Sequence, residues 1–168
     1  MIFAFKRAIE RKLFLSILFF ALSTAVSNFT LSVFAANLIG TDRDDTLYGT
    51  MADDKIVGKS GMDSLYGNGG NDKISGDLGD DFVQGDPGDD TLNGNDGNDI
   101  ILGGTGGDKI DGGNGDDYLE SSYVIGSTSI SDGEADTLTC GSGLDTAFIN
   151  PLDGDTASSD CEIVVSTP

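Results

Sequence analysis

The chain has 168 residues, with 29 acidic and 9 basic side chains, a net charge of −20, 25 glycines, and no histidine or tryptophan. Charge of this sign repels nucleic acid and anionic membrane surfaces and attracts cations. Without histidine there is no imidazole base for a serine or cysteine triad, and no histidine-ligated zinc protease. Composition alone fits a disordered acidic tail, but the order of the residues argues against it.

Lys6, Arg7, Arg11 and Lys12 precede an apolar run from Leu13 to Leu22, and a more polar stretch ends in Ser32-Val33-Phe34-Ala35-Ala36-Asn37. This is the order of regions in a secretory signal peptide. Small residues at the −3 and −1 places, Val33 and Ala35, predict cleavage after Ala35, with Ala36 and Ala25 as alternative positions. An uncleaved anchor is the rival reading, because residues 13–36 are long enough to cross a bilayer. Either way the basic flank stays inside and the remainder lies outside the cytoplasm. Removing residues 1–35 takes away four basic residues and Glu10 and leaves a net charge of −23.

From Gly40 the sequence repeats every nine residues without a gap, in nine units beginning at Gly40, Gly49, Gly58, Gly67, Gly76, Gly85, Gly94, Gly103 and Gly112. Position 6 of every unit is aspartate: Asp45, Asp54, Asp63, Asp72, Asp81, Asp90, Asp99, Asp108 and Asp117. Position 8 is always aliphatic: Leu47, Ile56, Leu65, Ile74, Val83, Leu92, Ile101, Ile110 and Leu119. Three columns fixed over nine units define an internal repeat.

Each column has a physical reason. Glycine supplies positive φ and lets backbone approach backbone, so the first six positions make a tight turn. Positions 7–9, such as Thr91-Leu92-Asn93, form a short strand with one residue pointing inward. Two nonapeptides then complete one turn of a flattened coil, and stacking places equivalent aspartates roughly 4.8 Å apart. Carboxylates that close repel, by ~0.9 kcal/mol even in water. A hard dication with oxygen ligands is the natural counter-charge, supplied by carboxylates and turn carbonyls. The nine position-6 aspartates are therefore the candidate metal ligands.

The pattern G-G-x-G-x-D-x-U-x, met at every defined position by Gly103–Asp111, resembles the RTX (repeats-in-toxin), or hemolysin-type, calcium-binding repeat. The resemblance implies an all-β, right-handed parallel β-roll, a β-solenoid over residues 40–120. It also implies several Ca2+ ions, each held between loops of repeats n and n+2 by position-6 carboxylates and carbonyls of the Gly-rich positions. Position 4 departs from glycine in the first two units, at Arg43 and Ala52, which predicts capping turns with weak or absent sites at Asp45 and Asp54. A one-residue-wide core rich in glycine predicts a chain disordered without calcium and ordered with it. The expected affinity lies in the ~10⁻⁴–10⁻³ M range of extracellular modules.

Residues 121–168 form a degenerate repeat and C-terminal cap. The repeat lapses through Ser121–Ile130, partly returns at Asp132–Thr139, and gives one more unit at Cys140–Phe148 with Asp145 at position 6. Two cysteines in an exported chain pair most simply as Cys140–Cys161; free thiols for dimerisation or redox work are the alternative. Ile163, Val164 and Val165 read as a last strand closing the open edge.

With a leader, repeats and a cap accounted for, no segment remains for a catalytic domain, and the chain reads as a non-enzyme. The expected function is an extracellular calcium-binding repeat protein acting as a structural, surface or adhesive module, with a cell-surface or matrix component as the expected setting. The alternative is a calcium-dependent accessory or folding module for a separate secreted enzyme; the sequence names no protein partner.

Overall fold

A computed structural model describes residues 34–122, 124–125, 128–129 and 132–166. The predicted leader, apart from Phe34 and Ala35, lies outside the described residues, as does the membrane-anchor alternative. Among the described residues there is no helix.

Positions 6, 8 and 1 of successive units are two residues apart, so an extended chain points all three the same way. The structure uses that alternation throughout. In the strand Lys73–Leu78, Ile74 and Gly76 are buried while Lys73 and Leu78 are exposed, and Asp72 just before it is buried too. The inward layer of each unit is thus aspartate, aliphatic, glycine. The sequence predicts strands of three residues, but in six of the nine repeat units they run for six, because the chain continues through position 1 into the next loop.

The strands in chain order are β1 (Asn37–Ile39), β2 (Thr46–Tyr48), β3 (Lys55–Ser60), β4 (Ser64–Tyr66), β5 (Lys73–Leu78), β6 (Phe82–Pro87), β7 (Thr91–Asp96) and β8 (Ile100–Thr105). They continue as β9 (Lys109–Asn114), β10 (Tyr118–Ser122), β11 (Val124–Ile125), β12 (Thr128–Ser129), β13 (Thr137–Ser142), β14 (Thr146–Ile149), β15 (Thr156–Ala157) and β16 (Ile163–Ser166). Two seven-stranded parallel sheets result, in the orders β1-β3-β5-β7-β9-β13-β15 and β16-β14-β10-β8-β6-β4-β2. Alternate strands enter alternate sheets, so the chain is a parallel β-solenoid of about seven turns.

Register is 18 residues per turn: Ile56 lies opposite Ile74 and Leu65 opposite Val83. Between the sheets runs one file of buried aliphatics, from Ile56 to Leu138, ended by Cys140, Ala147 and Ile149. The coil starts one strand before the first recognised repeat, since Asn37-Leu38-Ile39 pairs with Lys55-Ile56-Val57. It also runs beyond the regular repeats: Leu138 pairs with Ile110, 28 residues earlier. The extra ten residues are taken up between β10 and β13, where β11 and β12 form a small antiparallel pair.

Candidate metal centre

Two columns of turns flank the sheets, and each carries a continuous ladder built from position 6. Along the turns entering the first sheet, the N–H of Asp54 donates to Asp72 Oδ1 (2.7 Å), Asp72 to Asp90 (2.7 Å), and Asp90 to Asp108 (2.9 Å). Asp108 then donates to Asp136 (2.6 Å), and Asp136 to Asp155 (3.1 Å). Along the other column, Asp45 donates to Asp63 (2.7 Å), Asp63 to Asp81 (2.8 Å), and Asp81 to Asp99 (2.8 Å). Asp99 donates to Asp117 (2.9 Å), Asp117 to Asp145 (2.8 Å), and Asp145 to Glu162 Oε2 (3.0 Å). Every rung joins an amide to the carboxylate one turn further on.

One oxygen of each aspartate is committed to the ladder. The other oxygen, Oδ2, is buried and has no hydrogen-bond partner in Asp63, Asp72, Asp81, Asp90, Asp99, Asp108, Asp117, Asp136 and Asp145. A buried carboxylate oxygen without a partner is costly, so each needs a cation or a proton. Burial, the largest cause, together with neighbouring carboxylates outweighs the ladder bond. It pushes Asp108 up to about 8, Asp90, Asp99 and Asp136 up to about 7, and Asp72, Asp81 and Asp117 up to about 6. Asp63 and Asp145 are raised for the same reason.

The ladder ends are closed by the protein itself. Asp45 Oδ2 accepts from the Thr41 amide (2.6 Å) and hydroxyl (2.8 Å), which holds its carboxyl below the usual range. The Thr50 amide donates to Asp54 Oδ2, and the Ala36 amide to Asp54 Oδ1. At the far end Asp155 Oδ2 accepts from Ser121 (2.7 Å) and from the Asn150 amide (2.8 Å). Of the nine sequence candidates, the structure therefore sets seven in one environment and Asp45 and Asp54 in another.

Position 2 tracks this division. Lys59, Asn68, Asp77, Asp86, Asn95, Gly104, Gly113 and Gly141 all have positive φ, and the position-6 aspartate of each of those units has a partnerless Oδ2. Thr41 and Thr50, β-branched residues that disfavour positive φ, instead aim their N–H groups at the carboxylate. The expected glycine roles are redistributed as well. Position-1 glycines do not carry positive φ; they are small because a Cβ at Gly58 would lie 2.8 Å from the Gly76 carbonyl and overlap the Asp63 carboxylate. The turns carry positive-φ glycine at position 4, such as Gly88 (φ 149°), and at position 2 where glycine stands there, as at Gly104 and Gly113.

Position 5 adds a second ladder that the sequence reading missed. Asp53 Oδ1 accepts from the Asn71 amide (2.8 Å), Asn71 Oδ1 from Asp89 (3.1 Å), and Asp89 Oδ1 from Gly107 (3.0 Å). The recurrence of Asp or Asn at position 5 was the available signal. Asp136, Asp155 and Glu162 were also missed as ladder members, because the ten-residue insertion breaks the nine-residue count.

Among the described residues, no three His, Cys, Asp or Glu side chains converge into a metal cluster. A site here must be completed by backbone carbonyls, and all-oxygen donors of that kind suit a hard cation such as calcium.

Stacked loops, each presenting one buried carboxylate oxygen without a partner, define a parallel β-solenoid of the repeat class suited to a hard cation. The chain matches the RTX calcium-binding nonapeptide repeat over residues 35–61, 48–83 and 84–119, and it belongs to that family. No curated protein matches it significantly. A disulfide joins Cys140 to Cys161, which closes the C-terminal cap and suits an oxidising environment.

Proposed function

We propose that this chain is an extracellular structural module whose coil is held together by calcium ions seated along both turn columns. The ligands are the carboxylates of Asp63, Asp72, Asp81, Asp90, Asp99, Asp108, Asp117, Asp136 and Asp145, with backbone carbonyls of the Gly-rich turn positions. Bound calcium supplies positive charge between successive loops. The chain's own residues supply the rest: the amide ladder orients each carboxylate, and positions 1 and 4 keep the loops close-packed. Asp45 and Asp54 serve as end caps satisfied by threonine. The supporting observation is the set of partnerless inner oxygens, which stops where protein donors take over at the ladder ends.

On this reading the leader, cleaved after Ala35, delivers the chain to the calcium-rich exterior, and the role is structural, at a surface or in a matrix, without catalysis. The inner carboxylate oxygens are buried within the coil. Cells expressing the full chain should place it outside the cytoplasm. Washing with a chelator should release or unfold it, and calcium should restore it. A chain retained in the cytoplasm contradicts the reading. Capture of one specific enzyme from the medium only when calcium is present would favour the accessory-module alternative.

A further inference from the structure

The first rung of one ladder is made by a residue that precedes the nine regular units beginning at Gly40. Ala36 stands 18 residues before Asp54, in the place of a position-6 aspartate, and its backbone nitrogen donates to Asp54 Oδ1. Asp54 is only 3% exposed. Its other partners are the Thr50 amide and hydroxyl, both uncharged, and among the described residues no cationic side chain pairs with it. Phe34, two residues before the rung, is 81% exposed, and Ala35 is exposed as well. Hydrogen bonding between turns thus begins at Ala36, which directly follows two exposed residues, and the bond before it has Val33 and Ala35 at its −3 and −1 places.

We propose that hydrolysis of the Ala35–Ala36 bond creates the residue that caps this ladder: the new α-ammonium of Ala36 forms an ion pair with the buried carboxylate of Asp54. In that step a leader peptidase adds water across the bond. The C–N bond breaks, Ala35 leaves as a carboxylate, and the Ala36 nitrogen takes up protons to become an ammonium. A neutral amide with one donor becomes a cation with three, at the end of the column where the Thr50 amide already occupies Asp54 Oδ2. Charge-assisted hydrogen bonds of this kind are about twice as strong as neutral ones. An α-amino group, with an ordinary pKa of about 7.7–8.0, is charged at neutral pH. Processing therefore finishes the fold as well as releasing the chain from its leader.

This inference rests on the export reading, and the experiment separates the two. Full-length chain is expressed in cells, and the N-terminus of the exported protein is read by mass spectrometry. Absence of the protein from outside the cell defeats the export reading. Export with an N-terminus other than Ala36 defeats this inference alone, because a start at Asn37 removes the rung and an earlier start buries no charge. The exported protein is then compared in urea, at saturating calcium, with the same chain retaining Phe34-Ala35 at its N-terminus. That chain keeps the amide rung but displaces the ammonium. The extension is expected to raise the unfolding equilibrium constant about 10-fold, and to have no such effect in Asp54→Asn, or in Asp54→Ser should the first variant not fold. No difference between the two chains, or an equal difference in the Asp54 variants, overturns the pairing.

Discussion

The backbone N–H of Asp72 donates to Oδ1 of Asp90 across one turn of the coil, at 2.7 Å, while Oδ2 of the same Asp90 is buried without a partner. One oxygen thus holds the coil in register, and the other is the one that the proposed function gives to a cation. An asparagine can keep the first job and lose the second. Asp99→Asn should weaken calcium-induced ordering by about 1–3 kcal/mol, read as a roughly tenfold higher midpoint in a calcium titration followed by circular dichroism. Asp89→Asn, at an exposed position-5 rung that accepts from Gly107 at 3.0 Å, should leave that midpoint nearly unchanged. Equal effects at the two positions would remove the distinction between the ladders.

Glycine should matter according to what lies opposite. At Gly88, φ is 149° and an added Cβ would collide with the Gly70 carbonyl of the adjacent turn. Gly88→Ala should cost at least ~2 kcal/mol in urea unfolding. Gly133 has φ of 83° and open space around it, so Gly133→Ala should cost only ~1 kcal/mol. A reversed order would mean that the turns are not stacked this closely.

Acid should partly substitute for calcium. The inner carboxyls are raised in the fold, Asp108 to about 8 and Asp90 and Asp99 to about 7, from an unfolded value of about 3.9. The calcium-free fold therefore binds protons that the unfolded chain does not. That contribution is fully present below about pH 4 and is lost as pH rises through about 6 to about 8. In chelator, β-structure by circular dichroism should be greater at pH 5 than at pH 8. At pH 5 more calcium should be needed, because protons compete for the same oxygens. A calcium-free chain more ordered at pH 8 than at pH 5 would reverse the sign and refute the assignment.

Reduction should loosen the C-terminal end. The Cys140–Cys161 bridge spans 21 residues, and closing a loop of that size is worth ~3 kcal/mol. Cys140→Ser with Cys161→Ser should lower the thermal midpoint and speed hydrogen exchange in β15 and β16 before it does so in β5 and β7. Uniform loss of protection along the coil would contradict a local capping role.

Much of this architecture was legible because three columns of the repeat are read directly by period-2 alternation. Aspartate, aliphatic and glycine at positions 6, 8 and 1 must face inward together. The aliphatic column Ile56 to Leu119 is the core, and the stacked aspartates form the ladders. The sequence did not reveal that position-1 glycine is required by the carboxylate five residues on and by a carbonyl 18 residues away, since both approaches exist only in the folded coil. The strand at Asn37–Ile39 was hidden because Ala36 stands where the repeat calls for aspartate. Asp136 and Asp155 were hidden by the insertion after Ser122, which shifts the count without shifting the register. Thr41 and Thr50 carried a readable signal, a β-branched residue where the turn needs positive φ, and it marks the two loops that close on themselves.

On the proposed function, calcium decides whether the coil exists, by satisfying the inner carboxylate oxygens. The most direct test of this is a calorimetric calcium titration of the exported chain with circular dichroism recorded on the same samples. The expected result is a mostly unordered spectrum in EDTA at pH 8, uptake of several ions in the ~10⁻⁴–10⁻³ M range, and β-structure appearing in step with uptake. A chain that is already fully β-structured in EDTA at pH 8, and that takes up no calcium, would contradict it.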